Sequence, residues 1–339
     1  MEPVLNVVVE DKIPFIKGLL EPLARVTYAG PDRITRQLLL DTRADAIIVR
    51  TRTRCDSSLL DGTGIKLIVT ATIGTDHIDL DYCRSKGIAV ANAPGCNAPA
   101  VAQYVLRSAL AVAGDLRGLT IGVIGVGHVG SIVARWADSL GMNVLLCDPP
   151  RAESEGPAGF CDMATVAGEA DIITVHTPLT SSGSHPTFHL VDRAFLDGCL
   201  RRPLIINSAR GPVTDTKALI KARMNDRISG LVIDCWESEP RISRALLSMC
   251  DIATPHIAGY SAEGKQRATR MAVEAFCRFF NLPLPDGLPD PPDPPLAVTQ
   301  QALLSSYDPL DDTVALTIDP DSFESLRNGY HYRNEPTFS

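Results

Sequence analysis

The chain has 339 residues and a mass of 36.4 kDa, with 45% hydrophobic and 21% charged residues. That composition is ordinary for a globular protein, excludes a wholly disordered chain and suggests about two domains. A net charge of −8 and a pI near 5.4 argue against non-specific nucleic-acid binding, while leaving room for a local basic pocket.

The start, M-E-P-V-L-N-V-V-V-E-D, is acidic and lacks the basic opening and apolar core of a signal peptide. No apolar run approaches membrane-span length, so a cytoplasmic protein is expected. Nine cysteines are scattered from Cys55 to Cys277 with no C-x-x-C spacing. They read as small buried residues in a reducing compartment, and no metal is expected.

The first part alternates strands and helices. Val4–Val9, Val26–Tyr28, Ala46–Val49, Leu67–Thr70 and Ala89–Ala91 are the expected strands, with helices at Ile34–Thr42 and Leu80–Lys86. Such alternation implies parallel βαβ units. Asn97–Ala113 reads as a long apolar helix with Pro99 in its first turn. A second series follows, with strands at Thr120–Ile124, Asn143–Cys147, Ile172–His176, Leu204–Asn207, Gly230–Asp234 and Asp251–Thr254. A helix is expected over Ala262–Asn281. Residues 283–295 hold seven prolines and read as an extended linker. The remainder, 296–339, is too short to bury a strong core of its own. The fold class is α/β, with two Rossmann-like doubly wound domains and a short appended segment.

The segment T-I-G-V-I-G-V-G-H-V-G-S contains Gly125, Gly127 and Gly130 in G-x-G-x-x-G spacing. It follows a strand, opens a helix expected at Ser131–Leu140, and precedes a strand that ends at Asp148. That context makes it a dinucleotide fingerprint. The glycines allow a tight turn, close approach of the pyrophosphate and close helix packing, and the helix N-terminus favours the anion. Asp148 can accept from ribose hydroxyls and would repel a 2′-phosphate, which favours NAD over NADP.

Three further motifs end expected strands: N-S-A-R-G with Arg210, D-C-W-E-S-E-P with Glu239, and P-H-I-A-G-Y-S with His256. In an open parallel sheet such residues converge on one crevice. Histidine can take a hydroxyl proton, a carboxylate can hold its tautomer, and arginine can bind a substrate carboxylate. Arg50–Thr53 alternates Arg and Thr at the end of a strand, which suits a phosphate.

In this order the motifs resemble the D-2-hydroxyacid dehydrogenase family over roughly residues 1–281. The resemblance implies His256 as acid/base, Glu239 as its partner and Arg210 as the carboxylate anchor. It implies a discontinuous substrate domain (1–96 and 257–282) around an NAD domain (97–256), followed by the linker and a dimerisation segment at 296–339. The segments I-V-R-T-R-T, V-T-A-T-I-G-T-D-H-I-D, A-P-G-C-N-A, L-L-C-D-P-P-R and H-I-A-G-Y-S-A-E-G-K are similar to the branch acting on 4-phospho-D-erythronate. That branch forms 2-oxo-3-hydroxy-4-phosphobutanoate in pyridoxal 5′-phosphate synthesis. By this likeness His128, Val129, Asp148, Thr177, Ser208, Ala209, Arg210, Asp234 and Gly259 would line NAD. Arg50, Thr51, Thr72 and Tyr260 would contact the substrate. The family branch implies a homodimer, yet F-E-S-L-R-N-G-Y-H-Y-R-N-E-P is similar to only the middle of its dimerisation domain. Gln103 stands where many members carry Glu. Another D-2-hydroxyacid substrate, such as 3-phosphoglycerate, glyoxylate or lactate, and a non-enzymatic NAD-sensing role remain the alternatives.

Overall fold

The computed structural model describes residues 5–336. Val4 of the first expected strand, residues 1–3 of the first domain and residues 337–339 of the last segment lie outside the described residues. The described chain forms two compact units: residues 5–97 with Ala262–Asp293, and Ala98–Ser261 with residues 294–336.

The first unit holds β1 (Asn6–Glu10), β2 (Arg25–Ala29), β3 (Ala46–Val49), β4 (Leu67–Thr70) and β5 (Ala89–Ala91) in a sheet of order β2-β1-β3-β4-β5. All its pairs are parallel. The runs A-I-I-V and L-I-V-T are buried at every position, as strands covered on both faces must be. One face packs Val7, Val9, Ile48 and Val69 against Ala272, Val273, Phe276 and Cys277 of the returning helix Ala262–Phe280. The other packs Val8, Ile47 and Ile68 against Leu39, Leu59 and Cys83.

The second unit holds β6 (Thr120–Ile124), β7 (Asn143–Cys147), β8 (Ile172–Val175), β9 (Leu204–Asn207), β10 (Gly230–Ile233) and β11 (Ile252–Ala253). Its all-parallel order is β11-β10-β9-β8-β6-β7, doubly wound about the junction of β6 and β8. The buried helix Ala98–Ala113 packs with Val123 and Ile206 on one face of this sheet.

The division differs from the expected one at several boundaries, with Asn97 and residues 283–293 in the first unit. Residues 257–261 stay with the second unit, because Asp234 and Arg333 hold their backbone there. The proline-rich stretch forms no helix or strand, as expected of its composition, but it does not hang free. Arg270 of the returning helix bonds the Pro289 carbonyl and Asp290, and Arg267 bonds the Pro292 carbonyl.

The C-terminal segment is built into the second unit rather than set apart from it. Its helices are Gln300–Ser306, Pro309–Ile318 and Phe323–Asn328. Leu303 joins the core around Tyr104 and Trp136, and Leu316 and Phe323 join the core around Ile233. The indole of Trp136 donates to the Pro295 carbonyl at 2.8 Å. Thr313 accepts from the Ala253 amide at 3.1 Å, which covers the outer edge of β11. Among the described residues no helix is long and apolar enough to cross a membrane.

Candidate active site

The C-terminal ends of β9, β10 and β11, neighbours in the second sheet, lead into the loops that carry Arg210, Glu239 and His256. Asn207, fully buried at the end of β9, shapes the first loop. Its Nδ2 donates to the Arg210 carbonyl at 3.0 Å and its Oδ1 accepts from the Ala209 amide at 3.1 Å. Sequence reasoning missed Asn207; its signal was a lone amide closing the apolar strand L-I-I-N. The next loop lies directly on this one. A Cβ on Gly211 would fall 2.0 Å from the backbone of Trp236, so only glycine permits that approach.

Glu239 and His256 form a direct pair. His256 Nδ1 lies 2.8 Å from Glu239 Oε2, and Glu239 Oε1 accepts from the Trp236 amide at 2.7 Å. Burial alone would raise the Glu239 carboxyl, but the His256 bond, the Trp236 amide and the charge of Arg327 prevail and hold it below the usual range. With Nδ1 donating to a carboxylate, Nε2 is the nitrogen that can take a proton.

His256 has φ 57°, a left-handed backbone unusual for a non-glycine residue. Its surroundings over-determine it. The His256 amide donates to the Asp234 carbonyl at 3.0 Å. The buried Asp234 carboxylate accepts from Thr254 Oγ1 and the Ile257 amide, each at 2.7 Å, and from the Ala258 amide at 3.1 Å. Desolvation raises the Asp234 carboxyl despite those donors. Asp234, one of the residues expected at the cofactor, also anchors the histidine loop. Cys235 lies close to the Glu239–His256 pair, but its thiol is pushed well up by burial and donates to the Ala209 carbonyl at 3.4 Å. That is the arrangement of a protonated thiol, not of a thiolate ligand.

The glycine fingerprint forms a cradle at the end of β6, in the same sheet. Gly125 has φ 86°, and a Cβ there would lie 2.9 Å from the backbone of His176. A Cβ on Gly130 would lie 2.0 Å from the Gly125 carbonyl oxygen. This packing lets the helix begin at His128, three residues before the expected Ser131, and run to Ser139. Gly127, at its N-cap, faces open space. The exposed amide end at His128 and Val129 suits an anion. Asp148 caps the next helix: Oδ2 accepts from the Val126 amide at 2.7 Å and Oδ1 from Arg151 at 3.1 Å. Arg151 spends its charge on Glu155, at 2.7 and 2.8 Å, so it is not waiting for a 2′-phosphate.

Two buried hydroxyls, Thr177 Oγ1 and Ser208 Oγ, have no hydrogen-bond partner among the described residues. Buried hydroxyls rarely stay unpaired. Both belong to the residues expected to line a dinucleotide, so the cradle fits one. Ala209 is buried and Gly259 is partly exposed on the histidine loop.

In the first unit, Arg50, Thr51 and Thr72 gather at the ends of the paired strands β3 and β4. The Arg50 amide and the Thr53 hydroxyl both bond the buried Glu10, at 2.8 and 3.2 Å. Thr72 Oγ1 lies 2.6 Å from Thr70 Oγ1, and Thr51 is exposed. Glu10 was missed, because a carboxylate ending a strand resembles a surface residue. Tyr260 belongs to the second unit, on the histidine loop.

A family model described as D-isomer specific 2-hydroxyacid dehydrogenase, NAD binding domain, matches residues 101–258. The chain is 48% identical over 341 residues to the erythronate-4-phosphate dehydrogenase of Bacteroides thetaiotaomicron, covering 98% of this chain and 97% of that one. It is 43% identical over 347 residues to the enzyme of that name from Porphyromonas gingivalis, covering 98% and 94%. Among solved structures it resembles the D-lactate dehydrogenase of Aquifex aeolicus complexed with NAD and lactic acid. The TM-score is 0.67 and the identity 27%, over 81% of this chain and 96% of that one.

Proposed function

Because the chain belongs to the D-isomer-specific 2-hydroxyacid dehydrogenase family, its second unit is an NAD-binding domain, and we propose that it oxidises 4-phospho-D-erythronate. The products are 2-oxo-3-hydroxy-4-phosphobutanoate, NADH and a proton, and the step serves pyridoxal 5′-phosphate synthesis in the cytoplasm. The 2.8 Å bond between His256 and Glu239 carries the reading.

The fingerprint glycines and the amides of His128 and Val129 would hold the pyrophosphate. Asp148 would hold the ribose, and Thr177 and Ser208 would give their unpaired hydroxyls. NAD, when bound, supplies the acceptor for the C2 hydride. Arg210 binds the substrate carboxylate and polarises the forming carbonyl. His256 Nε2 takes the C2 hydroxyl proton while Glu239 keeps Nδ1 protonated and offsets the imidazolium charge. By the same likeness, Arg50, Thr51 and Thr72 of the first unit and Tyr260 of the second would contact the substrate. Leu310, Val314 and Ile318 form an exposed apolar ridge at i, i+4 and i+8 of one helix, which supports a homodimer through the C-terminal segment.

The test is NADH formation by the purified protein with 4-phosphoerythronate against 3-phosphoglycerate. Turnover should be selective for the former. Equal or faster turnover of 3-phosphoglycerate would overturn the assignment.

A further inference from the structure

The helix Phe323–Asn328 carries Arg327 to the loop that follows the catalytic histidine. Its Nε donates to the Tyr260 hydroxyl at 3.3 Å. The side chain is half-buried, and among the described residues its two terminal nitrogens make no hydrogen bond and no ion pair. It is close enough to Glu239 that each stabilises the charge of the other.

The placement is rigid. Further along the same segment, Arg333 is buried against the same loop. Its guanidinium donates to the carbonyls of Ile257 at 3.0 Å, Tyr260 at 3.2 Å and Ala100 at 3.0 Å, and also to that of Ala258. The Tyr260 ring makes edge-type contacts with Tyr330 and Tyr332, with centroids 6.0 and 6.2 Å away. Loop and segment therefore form one preorganised wall.

A partly desolvated guanidinium with an uncommitted fork is costly until an anion arrives, and that fork matches phosphate. The catalytic carboxylate of Glu239 would repel a phosphate in this neighbourhood. A cation beside it removes that penalty. We infer that Arg327, with the Tyr260 hydroxyl beside it, binds the phosphate of the substrate, so that the C-terminal segment sets the preference for a phosphorylated acid. The inference rests on the phosphorylated-substrate reading above. Arg210 takes the carboxylate, and the phosphate is the second anion to be met.

The experiment compares kcat/KM for 4-phospho-D-erythronate and for unphosphorylated D-erythronate in the wild-type chain, Arg327→Gln, Arg327→Lys and Tyr260→Phe. Arg327→Gln should reduce the preference for the phosphorylated acid about 30-fold or more, mostly through KM, the scale of losing one partner of a desolvated charge pair. Arg327→Lys, which keeps the charge and guards against a misfolded variant, should restore part of it. Inorganic phosphate should compete with substrate in the wild type and compete less in Arg327→Gln, while NADH affinity by fluorescence stays the same in both. A variant that keeps the wild-type preference overturns the inference. So does one that loses both substrates equally, because that marks a loop-positioning role. A wild type without any preference for the phosphate sinks the substrate reading itself, and is seen before any variant is made.

Discussion

Replacing Glu239 by glutamine tests the proton relay while changing little in volume. The carboxylate accepts on both sides, from the His256 Nδ1 and from the Trp236 amide. A glutamine side chain offers one acceptor and one donor. If its oxygen keeps the Trp236 amide, its NH2 faces Nδ1, which must then accept, and the proton moves to Nε2. That is the wrong tautomer for a base. If the amide is turned round, the NH2 confronts the Trp236 N–H and a buried donor is lost. Either way the imidazolium formed during oxidation loses its counter-charge. At about 4 Å between charge centres and an effective dielectric near 20, that attraction is about 4 kcal/mol. At roughly 1.4 kcal/mol per decade the expected loss in kcat is about 10³-fold. The assay is pre-steady-state and steady-state NADH formation, with NADH affinity measured separately and expected to be unchanged. A kcat within a few-fold of wild type would refute the relay. Stability offers a second readout. The Glu239 carboxyl is held below its ordinary value, so its contribution is full above about pH 4.3 and is lost as pH falls through the depressed value. Urea midpoints of wild type and Glu239→Gln should differ at pH 7 and converge in acid.

Gly130→Ala places a methyl 2.0 Å from the Gly125 carbonyl and should lower Tm and abolish NADH binding together. Gly127→Ala meets nothing within 4 Å, so Tm should hold while NADH binding weakens, because the methyl enters the space left for the ligand. Arg333→Met removes the charged donor shared by four carbonyls of the 100 and 257–260 segments, of which Ile257 keeps the Tyr260 amide, and should cost about 3 kcal/mol in urea unfolding, with faster hydrogen exchange at Ile257–Tyr260. Ile318→Asp, at a side chain 78% exposed, should leave Tm of the monomer intact yet shift the sedimentation coefficient from dimer to monomer.

The inner strands were legible because they are short, apolar and buried on both faces: Leu204–Asn207 and Thr120–Ile124 have the bounds that their composition predicts. The strand at Asp251 shrinks to Ile252–Ala253, since Thr254 turns its hydroxyl to Asp234. The helix after the fingerprint starts earlier than expected because glycine at 130 is a packing requirement there, not a helix breaker. The proposed trio of Arg210, Glu239 and His256 was legible because each member lies in a local motif just after a strand. Asn207, Glu10, Arg327 and Arg333 were not. Asn207 shapes a loop two and three residues on through a side chain that no motif marks, while Glu10, Arg327 and Arg333 act on residues brought near only by tertiary folding, Arg333 meeting Gln103 across 230 positions.

The C-terminal segment shows where pattern reasoning stops. Its shortness implies that it must dock, and it does, but no local periodicity says onto what. Docking here serves three needs at once. It covers the edge of β11, it completes a core with Leu303, Leu316 and Phe323, and it brings two arginines to the histidine loop. Gln103 shows how tightly these are joined: its amide accepts from Arg333 Nε at 2.9 Å and donates to the Asn334 carbonyl at 3.0 Å. A glutamate there could still accept from Arg333 but could not donate to Asn334. The neutral amide therefore matches both partners, and the segment's grip on the histidine loop depends on a residue of the buried helix.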